Sequence, residues 1–242
     1  SAVSVMARVR SALNTAIPYA SGAYTLLSQI GVSFQKDGSL AADSAKLQKA
    51  IETNFNDIGA VFSSVGKLSD NLISFAGSTD KSKAGQYALS VTTLATQGGT
   101  TGSAAAGLTI TAGVNDTLSF TVDSVSGSVT LTAGVYASAA ALAAEVQSRI
   151  NGVSALVTAG SSVKVSESAG VISLTSNRYG SNSSVLVGGG NGKDNLLGVA
   201  PTSSTGVDVA GSIGGMATTG SGQYMTGAAG TDVEGLKLLV AG

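Results

Sequence analysis

The stretch SAAALAAEVQSRING, residues 138–152, decides how the chain is read. Leu142, Val146 and Ile150 recur at i, i+4 on one face, Ser138 stands where an N-cap belongs, and Asn151-Gly152 follows the last apolar position. That is a single amphipathic helix. On both sides of it the period changes from helical to two. Short runs rich in Val, Thr, Ile and Leu alternate with Gly and Ser at Tyr87–Leu94, Leu108–Ala112, Leu118–Asp123, Ser128–Ala133, Ala155–Ala159, Ser162–Glu167, Val171–Ser176 and Val185–Gly188. Runs of this length, separated by turn residues, predict antiparallel strands. A lone helix among such strands makes the fold class α+β.

The Gly/Ser/Thr tracts Gly98–Gly107 and Gly188–Thr205 flank this block and read as paired crossings between one domain and another inserted into it. Upstream, the periodicity is helical. Val5, Val9, Leu13 and Ile17 step at i, i+4 until Pro18, and a short helical turn is predicted around Tyr24–Ile30. Val32 and Phe34 then alternate into the turn Lys36-Asp37-Gly38, with Leu40 beyond it. Asp43 is positioned to cap a helix with Leu47, Ala50 and Ile51 on its apolar face. Asn56 or Asp57 would cap another, carrying Ile58, Val61, Phe62, Val65, Leu72 and Ile73 toward Gly77. A last strand is expected at Leu236–Val240. The expected organisation is a helical domain with a short hairpin at 1–77, followed by two β-rich domains. The inner one comprises 78–103 and 200–242, and the outer one, 104–199, is inserted into it and carries the helix.

Composition narrows the function. The 242 residues include 13 Lys+Arg, 14 Asp+Glu, and no His, Cys or Trp. Zinc-finger ligands, Cys–His nucleophiles, His bases and disulfides are therefore absent. A formal charge of −1 leaves no basic footprint for nucleic acid or an anionic membrane. The longest apolar run is far short of the roughly 20 residues that span a bilayer. The opening SAVSVMARVR lacks the basic-then-apolar layout of a cleavable secretory signal. Ser and Thr make about a quarter of the chain, and the apolar 43% must build its cores almost entirely from Ala, Val, Leu and Ile.

Motifs that carry chemistry dissolve one by one. Ser-x-x-Lys, the nucleophile motif of serine acylases, occurs at Ser33/Lys36, Ser64/Lys67, Ser78/Lys81 and Ser161/Lys164, and Ser69-Asp70-Asn71 supplies a second element. That element precedes Ser78 instead of following it, and Lys-Thr-Gly is missing. Gly189-Gly190-Asn191-Gly192-Lys193-Asp194-Asn195-Leu196-Leu197 fits the calcium nonapeptide pattern, which works only when stacked turns share each ion. One copy reads as a Gly-rich turn, and Gly192-Lys193 lacks the flanking residues of a phosphate loop. Asp37, Asp43, Asp80, Asp232 and Glu234 read as caps and solvated acids. Tyr19, Tyr24, Tyr87, Tyr136, Tyr179 and Tyr224 show no stacking period with basic residues between them. No catalytic, cofactor-binding or metal residue is assigned, no cofactor is expected, and the chain does not read as an enzyme.

Three segments together resemble the bacterial flagellar filament-capping family, flagellar hook-associated protein 2. The first is LSQIGVSFQKDGSL at 27–40, running through Asp43 into AKLQKAIETNFNDIGAVFSS at 45–64. In it Asn54-Phe55 stands where the family usually has Asn-Pro. The second is Ser138–Gly152 with Val153-Ser154-Ala155 and later Gly170–Ser176, similar to the flagellin hook-type repeat. The third is GVDVAGSIGGMATTGSGQYMTGAAGTDVEGLKLLVAG at 206–242. The resemblance implies a structural cap at the distal tip of the filament, a ring-like homo-oligomer that promotes folding and polymerisation of exported flagellin. It implies flagellin and hook-associated proteins as partners, and an extracellular location reached without a cleavable signal peptide. The family's terminal helical segments, which form coiled coils, are expected to lie outside this chain at both ends. Two alternatives stand beside it. One is an extracellular adhesin or glycan-binding module, with host mucin glycans as ligand. The other is a further flagellar axial protein, a hook–filament junction protein or flagellin.

Overall fold

In the computed structural model the described residues are 24, 26–35, 37, 39–62, 66 and 68–241. The helix expected over Val5–Ile17 lies outside them.

The first unit is small. A 3₁₀ turn at Leu27–Ile30 leads into β1 (Val32–Phe34), which pairs antiparallel with β2 (Leu40–Ala42). Asp37 Oδ1 accepts from the Ser39 amide at 2.9 Å and its hydroxyl at 2.7 Å, shaping the turn between them. Asp43 Oδ1 accepts from the Ala45 and Lys46 amides, each at 3.1 Å, and so caps the helix Ser44–Phe62 as expected. The core here is Ile30 and Ala50, with Tyr24, Leu27, Val32 and Ile58 packed around them. A single non-helical residue, Asn54, divides the helix Ser44–Phe62 into two helical segments, so the second begins close to the expected Asn56 or Asp57. It does not reach Gly77. Ile73–Gly77 is β3, because Ile73 and Phe75 alternate toward an apolar sheet face that only the far end of the chain completes.

That sheet draws on both ends of the described chain. Its order is β3-β17-β16-β15-β14-β4, with β4 at Leu89–Thr93. The intervening strands are β5 (Gly99–Ala105), β6 (Thr109–Ile110), β7 (Thr117–Val122), β8 (Val125–Thr130), β9 (Gly134–Val135), β10 (Val163–Ser168), β11 (Val171–Ser176), β12 (Val185–Gly189) and β13 (Thr202–Ser204). The remaining four are β14 (Ala210–Ile213), β15 (Met216–Ser221), β16 (Tyr224–Gly227) and β17 (Lys237–Val240). Val209, Ile213, Met225, Val233, Leu238 and Val240 are its buried core.

The intervening segment builds a separate and larger core from a four-stranded sheet, β10-β11-β5-β13, and a three-stranded one, β12-β7-β8. In β7, Leu118, Phe120 and Val122 point inward; in β11, Ile172 and Leu174 do so. Asp123 and Ser124, both at positive φ, make the two-residue turn between β7 and β8. The helix Ala139–Asn151 buries Leu142, Val146 and Ile150 as its spacing predicted, and Ser138 Oγ accepts from the Ala141 amide at 3.1 Å. Its polar side chains also have structural work. Gln147 accepts from the Val165 amide, and Asn151 both accepts from and donates to the Val163 backbone, so the helix covers the outer edge of β10.

Two expectations fail here. Ala155–Ala159 is not a strand but part of the helix Ser154–Ala159. Gly152 takes a right-handed helical conformation, so the chain re-enters a helix after two residues, Gly152 and Val153, and places Leu156 in the core while Val157 is 65% exposed. The Gly98–Gly107 tract is not a bare crossing either; it contains β5, flanked by β11 and β13. Glycine is required because a Cβ on Gly99 would stand 2.7 Å from Leu174 O. The second tract, Gly188–Thr205, likewise holds the end of β12, the short helix Lys193–Leu197 and β13. The α+β class holds.

A polar cluster ties the long helix to the strand before it. Glu145 Oε1 accepts from the Thr132 amide (3.0 Å), the Thr132 hydroxyl (2.7 Å) and Arg149 Nε (2.8 Å). Burial alone would raise this carboxyl, but the Arg149 and Thr132 hydrogen bonds outweigh it and hold Glu145 below its ordinary value of 4.5.

Two outcomes follow from this packing. Leu142→Ala is expected to destabilise the chain by about 2–5 kcal/mol in a denaturant titration, because it opens a cavity at a fully buried helix position. A carboxyl lowered by folding stabilises the native state above its unfolded value and stops doing so as pH falls through the lowered one. Glu145→Gln is therefore expected to cost stability at neutral pH and to flatten the fall in melting temperature below about pH 4.5.

Candidate functional site

Among the described residues, neither Ser78/Lys81 nor Ser161/Lys164 becomes a nucleophile–base pair. Lys81 Nζ lies 2.8 Å from Glu234 Oε1, an ion pair 153 residues apart in sequence. Ser161 is buried while Lys164 is exposed. Lys36, Ser64 and Lys67 fall outside the described residues.

The nonapeptide-like segment is committed to structure. Asn191 Oδ1 accepts from the Thr117 amide and hydroxyl, both at 2.8 Å, and its amide nitrogen donates to Asp116 Oδ1 at 3.3 Å. Asn195 Nδ2 donates to Gly107 O at 3.0 Å, and Lys193 Nζ pairs with Asp194. These side chains lace the Lys193–Leu197 helix onto β7 and the end of β5. The described residues contain no cluster of three or more His, Cys, Asp or Glu able to hold a metal.

Among the acids anticipated as caps or solvated groups, Asp43 caps a helix, while Asp232 and Glu234 form ion pairs. Asp232 pairs with Lys83 at 2.5 Å. Glu234 Oε2 accepts from the Gly230 amide at 2.7 Å, and the Lys81 ammonium, then that amide, hold its carboxyl below the ordinary value. Among the tyrosines, Tyr87 donates to Lys83 O and Tyr136 to Thr132 O, while Tyr24 lies beside Thr53. Tyr179 and Tyr224 are 40% exposed, and Lys237 sits 4.3 Å over the Tyr224 ring. Tyr19 lies outside the described residues.

Three aspartates that the sequence reading passed over carry more of the geometry. Asp123 is buried; its carboxylate accepts from Ser176 Oγ at 3.0 Å and the Ser184 amide at 3.1 Å, with Arg178 Nε at 3.7 Å. Arg178 also donates to Ala159 O. Asp116 Oδ2 accepts from the Gly113 amide at 2.9 Å, which with Asn191 lowers its pKa. Asp208 Oδ1 accepts from the Ser181 amide at 3.1 Å and the Gly222 amide at 2.6 Å. The Ser181 side chain, then the Gly222 and Ser181 amides, hold its carboxyl below the ordinary value. Asp123-Ser124 after an alternating run was a readable hairpin signal. Asp208 offered none, because its partners are 27 and 14 residues away.

An open groove among the described residues is lined by Val129, Thr130, Glu145, Ser148, Arg149 and Val153. Glu145 and Arg149 satisfy each other and Thr132 within it. Large apolar side chains are exposed singly at separate places, Val114, Val135, Val157 and Val199 most of all. Among the described residues no helix is long and apolar enough to cross a membrane. Polar groups tied up with one another and scattered apolar contacts suit noncovalent surface binding; they assemble no reacting pair.

No curated protein sequence matches the chain. Among solved structures, it is similar to the D2-D3 domains of the flagellar cap protein from Serratia marcescens. They are 18% identical, with 67% of this chain and 89% of that one covered, and a TM-score of 0.47. The D2-D3 domains of flagellar cap protein FliD from Escherichia coli are likewise 18% identical, covering 71% and 89%, with a TM-score of 0.46. FliD from Pseudomonas aeruginosa is 18% identical, covering 72% and 80%, with a TM-score of 0.41. Independently of these, residues 2–192 match the family described as flagellar hook-associated protein 2 C-terminus. With most of its length inside that match, the chain belongs to the flagellar hook-associated protein 2 family.

Proposed function

We propose that the protein is a structural cap at the distal tip of the bacterial flagellar filament, where it promotes folding and polymerisation of exported flagellin. The family match over residues 2–192 carries this reading. The cap acts as a ring-like homo-oligomer outside the cell, with flagellin and hook-associated proteins as its partners. Its work is noncovalent: it shelters an arriving subunit and releases it once folded. A chain with 11% charged residues and abundant Ser and Thr supports contacts that form and break repeatedly, since it has few charges with which to hold them. The axial-protein alternative is disfavoured by the Leu27–Leu40 segment and the helix after it, which the family match includes.

We also propose that the three separate cores are three domains. The helical one contains residues up to 62. The inner β-rich one comprises 68–97 with 205–241, and the outer one, 98–204, is inserted into it. These limits differ from those expected because β3 pairs in the inner sheet while β5 and β13 pair in the outer one.

Deleting the gene for the full-length protein is expected to leave cells without long filaments and with unpolymerised flagellin in the medium. Normal filaments with no leaked flagellin would overturn the proposal. Immunogold labelling in electron microscopy is expected to place the protein at the filament tip; label at the hook–filament junction would favour the axial alternative.

A further inference from the structure

The chain passes from the inner to the outer core at residues 94–98 and returns at 205–209, and these two passages form one ribbon. In the inner sheet Thr93 pairs with Ala210; in the outer sheet Gly99 pairs with Ser204. Midway, the Thr96 amide donates to Val207 O at 2.9 Å and the Val207 amide to Thr96 Oγ1 at 3.0 Å. Three residues forward on one side meet three residues back on the other at each step, so the antiparallel register continues unbroken from sheet to sheet. A two-stranded ribbon by itself bends and twists easily.

Here a loop of the outer core lies against it. Residues 179–184 are fastened at their own end by Asp123, which holds Ser176 and Ser184 and pairs with Arg178. From there the Gly180 amide donates to Thr96 O, the Gly206 amide to Ser183 O, and the Gly98 amide to Ser183 Oγ. On the inner side, the Val209 amide donates to O of Gly222, in the turn between β15 and β16. Asp208 closes the arrangement. Its single Oδ1 accepts from Ser181, on the loop of the outer core, and from Gly222, on the hairpin of the inner core. Gly180, at φ +94°, has no room for a side chain, because a Cβ would come 2.2 Å from that same oxygen.

We propose that the 94–98/205–209 ribbon is a hinge and that the Asp208 carboxylate latches it, fixing the angle between the two β-rich cores. Neither core contains the latch, so opening it frees their relative motion and leaves each folded.

The test measures the distance between the cores directly. The chain has no cysteine, so Asp80→Cys in the inner part and Val135→Cys in the outer part, both exposed, accept spin labels uniquely. Double electron–electron resonance on the labelled chain is expected to give one narrow distance distribution. Asp208→Ala is expected to widen it roughly twofold, as for domains without a large shared interface, while the melting transition of each core persists. Asp208→Asn retains an accepting oxygen and is expected to stay close to the parent. Gly180→Ala, whose methyl displaces the loop from Asp208, is expected to widen the distribution as Asp208→Ala does. An unchanged width in both Asp208→Ala and Gly180→Ala overturns the latch. So does loss of folding in both, since Asp208 would then be part of a core.

Discussion

The paired crossing at Thr96 and Val207 is the constraint on which the rest depends. A domain placed inside another must be entered and left through the same sheet. Putting both passages on neighbouring antiparallel segments lets them pair with each other, as Thr96 and Val207 do. The arrangement has a consequence for the inner sheet. β3 pairs with β17, and Lys81 and Lys83 meet Glu234 and Asp232, across about 150 residues of intervening chain. Its core cannot form until the ends meet, whereas the outer core closes from continuous sequence. Loop-closure entropy therefore weighs on the inner sheet, and a completed outer domain shortens the effective loop.

Carboxylates do an unusual share of this structural work. Asp43 caps a helix, Asp37 shapes a turn, Asp116 and Asp123 order loops around β7, Asp208 gathers amides from segments distant in sequence, and Glu234 takes a nearby amide and the distant Lys81 ammonium. In each case an acceptor-only group satisfies donors that turns and Gly-rich loops leave unpaired. Lowered pKa values at Asp116, Asp208 and Glu234 express that demand. In an enzyme such shifts would draw attention to a reactive site. Here they trace to the Ser181 side chain and backbone amides at Asp208, to the Gly113 amide and Asn191 at Asp116, and to the Lys81 ion pair with the Gly230 amide at Glu234.

The same economy suits the proposed cap. A scaffold built on Ala, Val, Leu and Ile, with charges spent on internal ties, is otherwise rich in Ser, Thr and Gly. Small uncharged side chains give weak, replaceable contacts, and geometry rather than affinity then governs what they hold. The angle between the two β-rich cores becomes a functional quantity, which is why a latch at the ribbon matters.

Local signals were enough for many elements. Ser138 through Gly152 announced its helix, its cap and its buried face; Asp43 announced another cap; and the alternation in Leu118–Asp123 and Val171–Ser176 announced inward-facing strands. The α+β class and the family segments were legible for the same reason: period, caps and turns act within a few residues. Ala155–Ala159 was misread because its β-branched run has strand propensity, while packing of Leu156 and the re-entry at Gly152 chose helix. Ile73–Gly77 and Gly99–Ala105 were misread because their partners lie far away, in β17 and in β11 and β13. Asp208 was silent for that reason too, its partners lying 27 and 14 residues away. The sequence by itself determined the elements whose hydrogen bonds close locally, and the kind of chemistry the chain lacks. Only the tertiary structure decided which strands share a sheet and which carboxylate joins two cores, because those bonds form between segments that nothing but the completed fold brings together.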